Sequence, residues 1–326
     1  MTMPDCCKWS TRAGSPEVTH PKSNGRLEAL LRRGAFAMTA ETSPPDGAAA
    51  ASVLARAGCL KGLADAVNVT DGAGAKTHMS ALAAAAVLAQ HGIEPVLQFT
   101  VRDRNRLALQ GDLIGAAALG IHNILCLHGD DPKGGDQPET KPVYDIDSRT
   151  LIWTARRLRE DGQLPSGRVI DPAPRLFIGA ADSPQDPTPE WKPDRLAAKV
   201  DAGADFIQTQ YCFDLAMLRR YLARLRDHGL LERLYVIVGI GPLASAKSAR
   251  WMNENLFGVH IPEAIVSRLD KSGDQRAEGR RICVELLREL AEVDGVAGAH
   301  LMAPRQEQAI AEAIAESGLL QKREAA

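Results

Sequence analysis

Eight short apolar runs recur along the chain: AFAMTAE (35–41), DAVNVT (65–70), EPVLQFT (94–100), NILCLHG (123–129), RLFIGAA (175–181), DFIQTQ (205–210), LYVIVGI (234–240) and VAGAHLMAP (296–304). Each is bounded by Gly, Pro, Asp or Asn, as strands buried on both faces are. Longer helix-like stretches separate them, at 47–61, 77–91, 103–119, 148–161, 190–203, 214–228 and 244–256. Thr77 is the expected cap of the second, and 305–318 follows the last strand. Further helical patterns at 262–271 and 275–293 lengthen the seventh unit. Eight strand–helix units predict an α/β protein, a (β/α)8 TIM barrel with extra helices before the last strand. The competing architecture is a doubly wound open sheet. No G-x-G-x-x-G follows a strand, and Gly72-Ala73-Gly74 lacks the third glycine and the later acidic residue of that fingerprint.

At 326 residues the chain is long enough for one such barrel. Residues 26–326 are expected to form it as a single catalytic domain. Residues 1–25 are polar, carry Pro4, Pro16 and Pro21, and read as a flexible tail. Thirty-nine basic against 41 acidic residues exclude a strongly basic nucleic-acid binder. No apolar stretch reaches the length of a membrane span, and the N-terminus has no apolar signal region. A cytoplasmic location is therefore expected. Six scattered cysteines do not make a disulfide framework. Cys126, Cys212 and Cys283 lie in apolar runs and read as small hydrophobes. Cys6 and Cys7 have no partnering His or Cys pair, and no metal site is expected.

A barrel places its chemistry at the C-terminal ends of its strands. Glu41 ends the first strand, where a half-buried carboxyl suits a general acid. It could equally cap a loop or pair with an arginine. His128-Gly129-Asp130 ends the fourth, and Gly129 would let a planar ligand approach the backbone. The same Gly-Asp-Asp-Pro is also ordinary turn chemistry. Gln210, at the end of the sixth, offers an amide with donor and acceptor together. Arg305, past the eighth, could hold a carboxylate or simply start a helix. Lys199 lies on a helical face with Arg195, solvated or touching a phosphate.

These strand ends together resemble the methylenetetrahydrofolate reductase family over residues 27–318. The resemblance is carried by Glu41 with Pro44-Pro45, by Val67-Asn68-Val69-Thr70 with Thr77-His78, and by Phe99-Thr100-Val101-Arg102-Asp103-Arg104-Asn105. Leu127-His128-Gly129-Asp130 adds to it, as does Lys199-Val200-Asp201-Ala202-Gly203-Ala204-Asp205 leading to Thr209-Gln210 and Phe213-Asp214. The resemblance implies a flavin-dependent barrel that interconverts 5,10-methylenetetrahydrofolate and 5-methyltetrahydrofolate through FAD. It implies FAD contacts at Thr70, Gln98, His128, Gly129, Asp130, Tyr144, Ala180 and Lys199. Glu41 matches the family's general acid, Asp130 the carboxylate beside flavin and pterin, Gln210 the pterin-binding amide, and Arg305 a basic residue near the folate tail.

The chain departs from the enterobacterial pattern at Gln98, where many members carry His, and at His128, where that type carries Arg. Ala246 stands where NADH-using members place a nicotinamide-stacking aromatic. The electron donor is accordingly NAD(P)H or a protein redox partner. A homo-oligomer is expected from the family. The sequence carries no long C-terminal regulatory region of the animal type, so inhibition by adenosylmethionine is not expected. Two other readings stand beside this one: a flavin-free folate- or corrinoid-linked methyltransferase barrel, and a flavin-loaded docking subunit of a redox complex.

Overall fold

The computed structural model describes residues 20–325. Residues 1–19, with Cys6 and Cys7, lie outside the described residues. Eight strands close into one parallel barrel: β1 (Ala37–Thr42), β2 (Ala66–Val69), β3 (Pro95–Thr100), β4 (Asn123–Leu127), β5 (Phe177–Asp182), β6 (Phe206–Tyr211), β7 (Tyr235–Ile240) and β8 (Gly298–Leu301). Each strand pairs with its neighbours in sequence, and β8 returns to β1. All eight predicted runs overlap their strand; five contain it, and β1, β5 and β6 run one residue past the predicted end. The architecture is the expected (β/α)8 barrel.

Helices α1 (Arg26–Arg32), α2 (Ala50–Ala57), α3 (Ala81–Gln90), α4 (Arg106–Ala118), α5 (Ser148–Asp161), α6 (Asp194–Ala202) and α7 (Leu215–Asp227) are followed by α8 (Ala246–Asn255), α9 (Glu263–Asp270), α10 (Gln275–Leu290), α11 (Glu307–Ser317) and α12 (Leu319–Ala325). Side-chain caps start several of them: Asn105 accepts from the amides of Leu107 and Ala108, Asp147 from Thr150, Asp214 from Met217 and Asp274 from Ala277. Thr77 is not a cap. α3 begins after Ser80, because residues 71–79 are held as a loop over the barrel: the Met79 amide donates to Pro45 O at 2.9 Å, and Thr77 Oγ1 accepts from Gln137 at 3.0 Å.

Strand alternation sorts side chains into two cores. Outward-facing residues such as Val67, Phe99, Cys126, Ala180 and Val238 pack under the helices. Burial pushes the thiols of Cys212 and Cys283 up to about 12, so they serve as inert core residues. The second core fills the lower barrel: Ala37, Ala66, Val96, Leu125, Phe177, Phe206 and Ile237, plugged from below by Leu27 and Leu31 of α1.

α1 was not foreseen from the sequence. Its first amides, at Arg26 and Leu27, donate to the Glu94 carboxylate at 2.6 and 2.9 Å. That cap comes from a residue 67 or 68 positions away, which no local pattern reveals. The last residues assigned to a flexible tail are also tied down. The Lys22 and Ser23 amides donate to Glu28, and Lys22 Nζ pairs with the buried Asp205, which Arg159 also holds at 2.6 Å.

Candidate active site

A cleft of about 1400 Å³ opens over the C-terminal ends of the strands. Its floor is built from alternate, inward-facing positions. Glu41, Thr70, Gln98, His128, Gly129, Asp130, Lys199 and Gln210, all singled out from the sequence, line it together.

Glu41 is the centre of this floor. Its Oε2 accepts from Gln98 Nε2 at 2.9 Å and lies 3.7 Å from His300 Nε2. The carboxyl is about four-fifths shielded, with 19% of its side chain exposed. Beside it, the Tyr211 hydroxyl donates to Met302 O at 3.0 Å. Burial, with the Glu41 charge a lesser cause, pushes that phenol far above its ordinary range.

Asp130 accepts from the Gly74 amide at 2.7 Å, which joins the β4 end to the loop after β2. Gly129 before it has φ +96°, a conformation that disfavours side chains. A Cβ there would meet Arg102 Cβ at 2.9 Å, so the glycine makes room for the protein's own side chains. Arg102 itself is buried, pairs with Asp103 and donates to Asp130 O at 3.1 Å. Asp71 is held by the Thr100 amide and hydroxyl and by Arg104. The RDRN segment thus braces the rim. The Thr70 hydroxyl is buried in the cleft floor with no hydrogen-bond partner among the described residues.

On the opposite wall, Lys199 Nζ donates to Ala181 O. Burial holds its pKa below the usual lysine value, opposed by the nearby Asp182. Burial raises the Asp182 carboxyl, against a hydrogen bond from the Tyr221 hydroxyl. Gln210 Oε1 accepts from the Tyr211 amide at 3.0 Å, and its Nε2 reaches Phe257 O at only 3.5 Å. The pairing of β6 with β7 slips by one residue between Gln208 and Tyr211, a bulge that lets Gln208, Thr209, Gln210 and Tyr211 all reach the cleft.

Three expected site residues are not among the cleft-lining groups. Ala180 is fully buried and its side chain faces the helices; Ala181 faces the cleft, one step along the strand. Tyr144 stands behind His128, ring on ring at 4.4 Å and 4°. Arg305 is exposed at φ +59° and lies 3.6 Å from Asp46.

Sequence reasoning missed the layer below the floor. Thr39, Asn68, Gln208 and His300 are buried polar residues inside the barrel. Thr39, Asn68 and Gln208 sit two positions before the polar cleft residues Glu41, Thr70 and Gln210, so a period-two reading of polar residues would have found those three; His300 precedes the apolar Met302 and gives no such signal. Among the described residues, no group of three or more His, Cys, Asp or Glu is placed to hold a metal, and no helix is long and apolar enough to cross a membrane.

Comparison with known proteins follows the same line. A probable methylenetetrahydrofolate reductase (NADPH) of Caenorhabditis elegans is 28% identical over 252 residues, covering 75% of this chain and 35% of that protein. Methylenetetrahydrofolate reductase 2 of Schizosaccharomyces pombe is 28% identical over 271 residues, covering 78% of this chain and 41% of that one. The chain thus spans about two-fifths or less of the length of these relatives. In fold it is similar to a Clostridium thermocellum protein that binds two copies of 5-methyl-5,6,7,8-tetrahydrofolic acid, with TM-score 0.60, 15% identity, and 91% and 99% of the two chains covered. The EDTA monooxygenase of Chelativorans sp. BNC1 shares the fold at TM-score 0.52 and 10% identity, with 88% and 94% covered. The family model described as methylenetetrahydrofolate reductase matches residues 26–318, from the first turn of α1 to the end of α11, and the chain belongs to that family.

Proposed function

We propose that this chain is a cytoplasmic flavoenzyme that interconverts 5,10-methylenetetrahydrofolate and 5-methyltetrahydrofolate. Its reductant would be NAD(P)H or a protein redox partner. Family membership supports the reaction class. The observation that carries the reading is the Glu41 carboxyl at the strand ends, one oxygen held by Gln98, in the same cleft as Asp130 and Gln210.

The residues present fit FAD. The cleft, at about 1400 Å³, exceeds the roughly 300–1,000 Å³ that one ordinary ligand needs, leaving room for cofactor and substrate together. The orphaned Thr70 hydroxyl is a buried donor without a partner among the described residues, the kind of group a polar cofactor satisfies. Thr70, Gln98, His128, Gly129, Asp130 and Lys199 would hold it. Tyr144 would act by bracing His128, and Ala180 could contribute only backbone. Bound flavin supplies the two-electron exchange with the folate carbon, which no side chain can.

The chain's own residues handle protons, charge and orientation. Glu41 donates a proton to a nitrogen of the one-carbon bridge, and the bridge opens to a cationic iminium. In the reverse direction its carboxylate takes that proton back. The Asp130 carboxylate favours the positive charge that develops. Gln210 offers an amide donor and acceptor to the pterin, and its weak contact with Phe257 O is readily exchanged for that ligand.

The test is a visible spectrum of the purified protein, followed by anaerobic addition of 5-methyltetrahydrofolate. A yellow protein whose flavin band bleaches is the expected result. A yellow protein that does not bleach indicates a docking subunit or another substrate. A colourless protein that FAD does not reconstitute overturns the assignment.

A further inference from the structure

Directly beneath Glu41, the buried layer of Thr39, Asn68, Gln208 and His300 forms one connected hydrogen-bond chain. Asn68 and Gln208 pair amide to amide, Asn68 Nδ2 donating to Gln208 Oε1 at 2.6 Å and Gln208 Nε2 donating back at 3.0 Å. Gln208 Nε2 also reaches Thr39 Oγ1 at 3.1 Å. Thr39 Oγ1 lies 3.0 Å from His300 Nδ1 and 3.4 Å from Ala299 O, and Gln208 Nε2 also reaches His300 Nδ1 at 3.4 Å, so both neighbours can present a proton to that nitrogen. An imidazole that accepts at Nδ1 carries its proton on Nε2. That nitrogen faces Glu41 Oε2 at 3.7 Å, the oxygen already holding Gln98.

We propose that His300 is a positioning residue for Glu41, locked by Thr39 in the Nε2–H tautomer so that its ring N–H faces the carboxylate. The proposal rests on the role given to Glu41 above. Gln98 donates to Oε2 and the His300 ring nitrogen lies 3.7 Å from the same atom, which fixes the orientation of the carboxyl and leaves its other oxygen to exchange a proton with substrate. The layer is buried, with Thr39 and Asn68 at 0% exposure, so the donor order is not averaged by water. Asp71, His128, Asp182 and Lys199 also line the cleft. Tyr211 of β6 is the titratable neighbour, and Asp130 lines the same cleft but is engaged with the Gly74 amide. β2 and β3 present the neutral Asn68, Thr70 and Gln98, and β7 presents Gly239.

Thr39→Val tests this, because Thr39 does not line the cleft and valine is nearly the same shape. Without the hydroxyl, only the longer 3.4 Å contact from Gln208 Nε2 still disfavours Nδ1–H, so the ring can populate the tautomer that turns a lone pair toward Glu41. Glu41 acts as the base when 5-methyltetrahydrofolate is oxidised. Thr39→Val should therefore slow anaerobic flavin bleaching by 5-methyltetrahydrofolate by about tenfold at neutral pH and move the acidic limb of its pH profile upward. Thr39→Ser, which keeps the hydroxyl, should stay within about twofold of wild type. Reduction of the flavin by dithionite should be unchanged in both. A Thr39→Val protein with wild-type rate and profile overturns the proposal, as does an equal loss in Val and Ser. Independently of flavin and folate, ¹⁵N spectra of the His300 ring, assigned with His300→Gln, should show the Nε2–H tautomer in wild type and a mixture in Thr39→Val. An Nδ1–H ring in wild type overturns it. A wild type that fails to hold flavin or to bleach counts against the proposed function instead, while the ring spectra still decide the lock.

Discussion

The lower and upper halves of the barrel interior are built by the same eight strands, often two residues apart on one strand, yet they are chemically opposite. Below, Phe177 and Phe206 stack at 4.9 Å among Ala37, Ala66, Val96, Leu125 and Ile237, sealed by Leu27 and Leu31. Above, Thr39, Asn68, Gln208 and His300 give way to Glu41, Thr70, Gln98 and Gln210 around an open cleft. Burial of apolar area carries stability in the first half. In the second, buried polar groups cost stability unless each is partnered, so their placement reports function.

The contrast can be broken from either side. The largest effect is expected from Phe206→Ala, which removes a fully buried ring from the lower half. It should destabilise the protein by about 3–5 kcal/mol in denaturant unfolding. The surviving folded fraction should still bind flavin; loss of flavin binding at matched folded fraction would show that the halves are not separable. Glu41→Gln acts on the upper half alone. It should slow folate turnover by about 10²-fold while leaving unfolding and FAD binding near wild type. Full folate turnover in this variant would remove Glu41 from the mechanism. The smallest effect is outside both halves. The Arg106 side chain and amide hold the Asp145 carboxyl at about 2. A carboxyl lowered on folding stabilises above its unfolded value near 4 and loses that contribution as pH falls through about 2. Asp145→Asn should therefore cost less than about 1 kcal/mol at pH 7, since Arg106 is largely exposed. The difference from wild type should vanish near pH 2; a pH-independent difference would assign it to packing.

Site residues differed in how openly they declared themselves. Glu41 and Asp130 stand where an apolar run stops, and Thr70 and Gln98 are polar in runs otherwise made for burial. Their positions follow from strand alternation and the barrel rule, both local in sequence. Ala180 and Ala181 show the limit of that reading: one residue of register decides which alanine faces the cleft. His300 was overlooked although it lies in a predicted strand, because a lone histidine in an apolar run means little until its partners on β1 and β6 are beside it.

The sequence by itself determined the strand count, the parallel closed architecture and most of the cleft floor. Those depend on periodicities of two and 3.6 and on which end of a strand a residue occupies. Tertiary structure alone decided the α1 plug capped by Glu94, the β6 bulge that turns four consecutive residues to the cleft, and the contacts that link Asn68, Gln208, Thr39 and His300 beside Glu41. Each of these depends on a contact between residues far apart in the chain. Such contacts exist only once the barrel has closed.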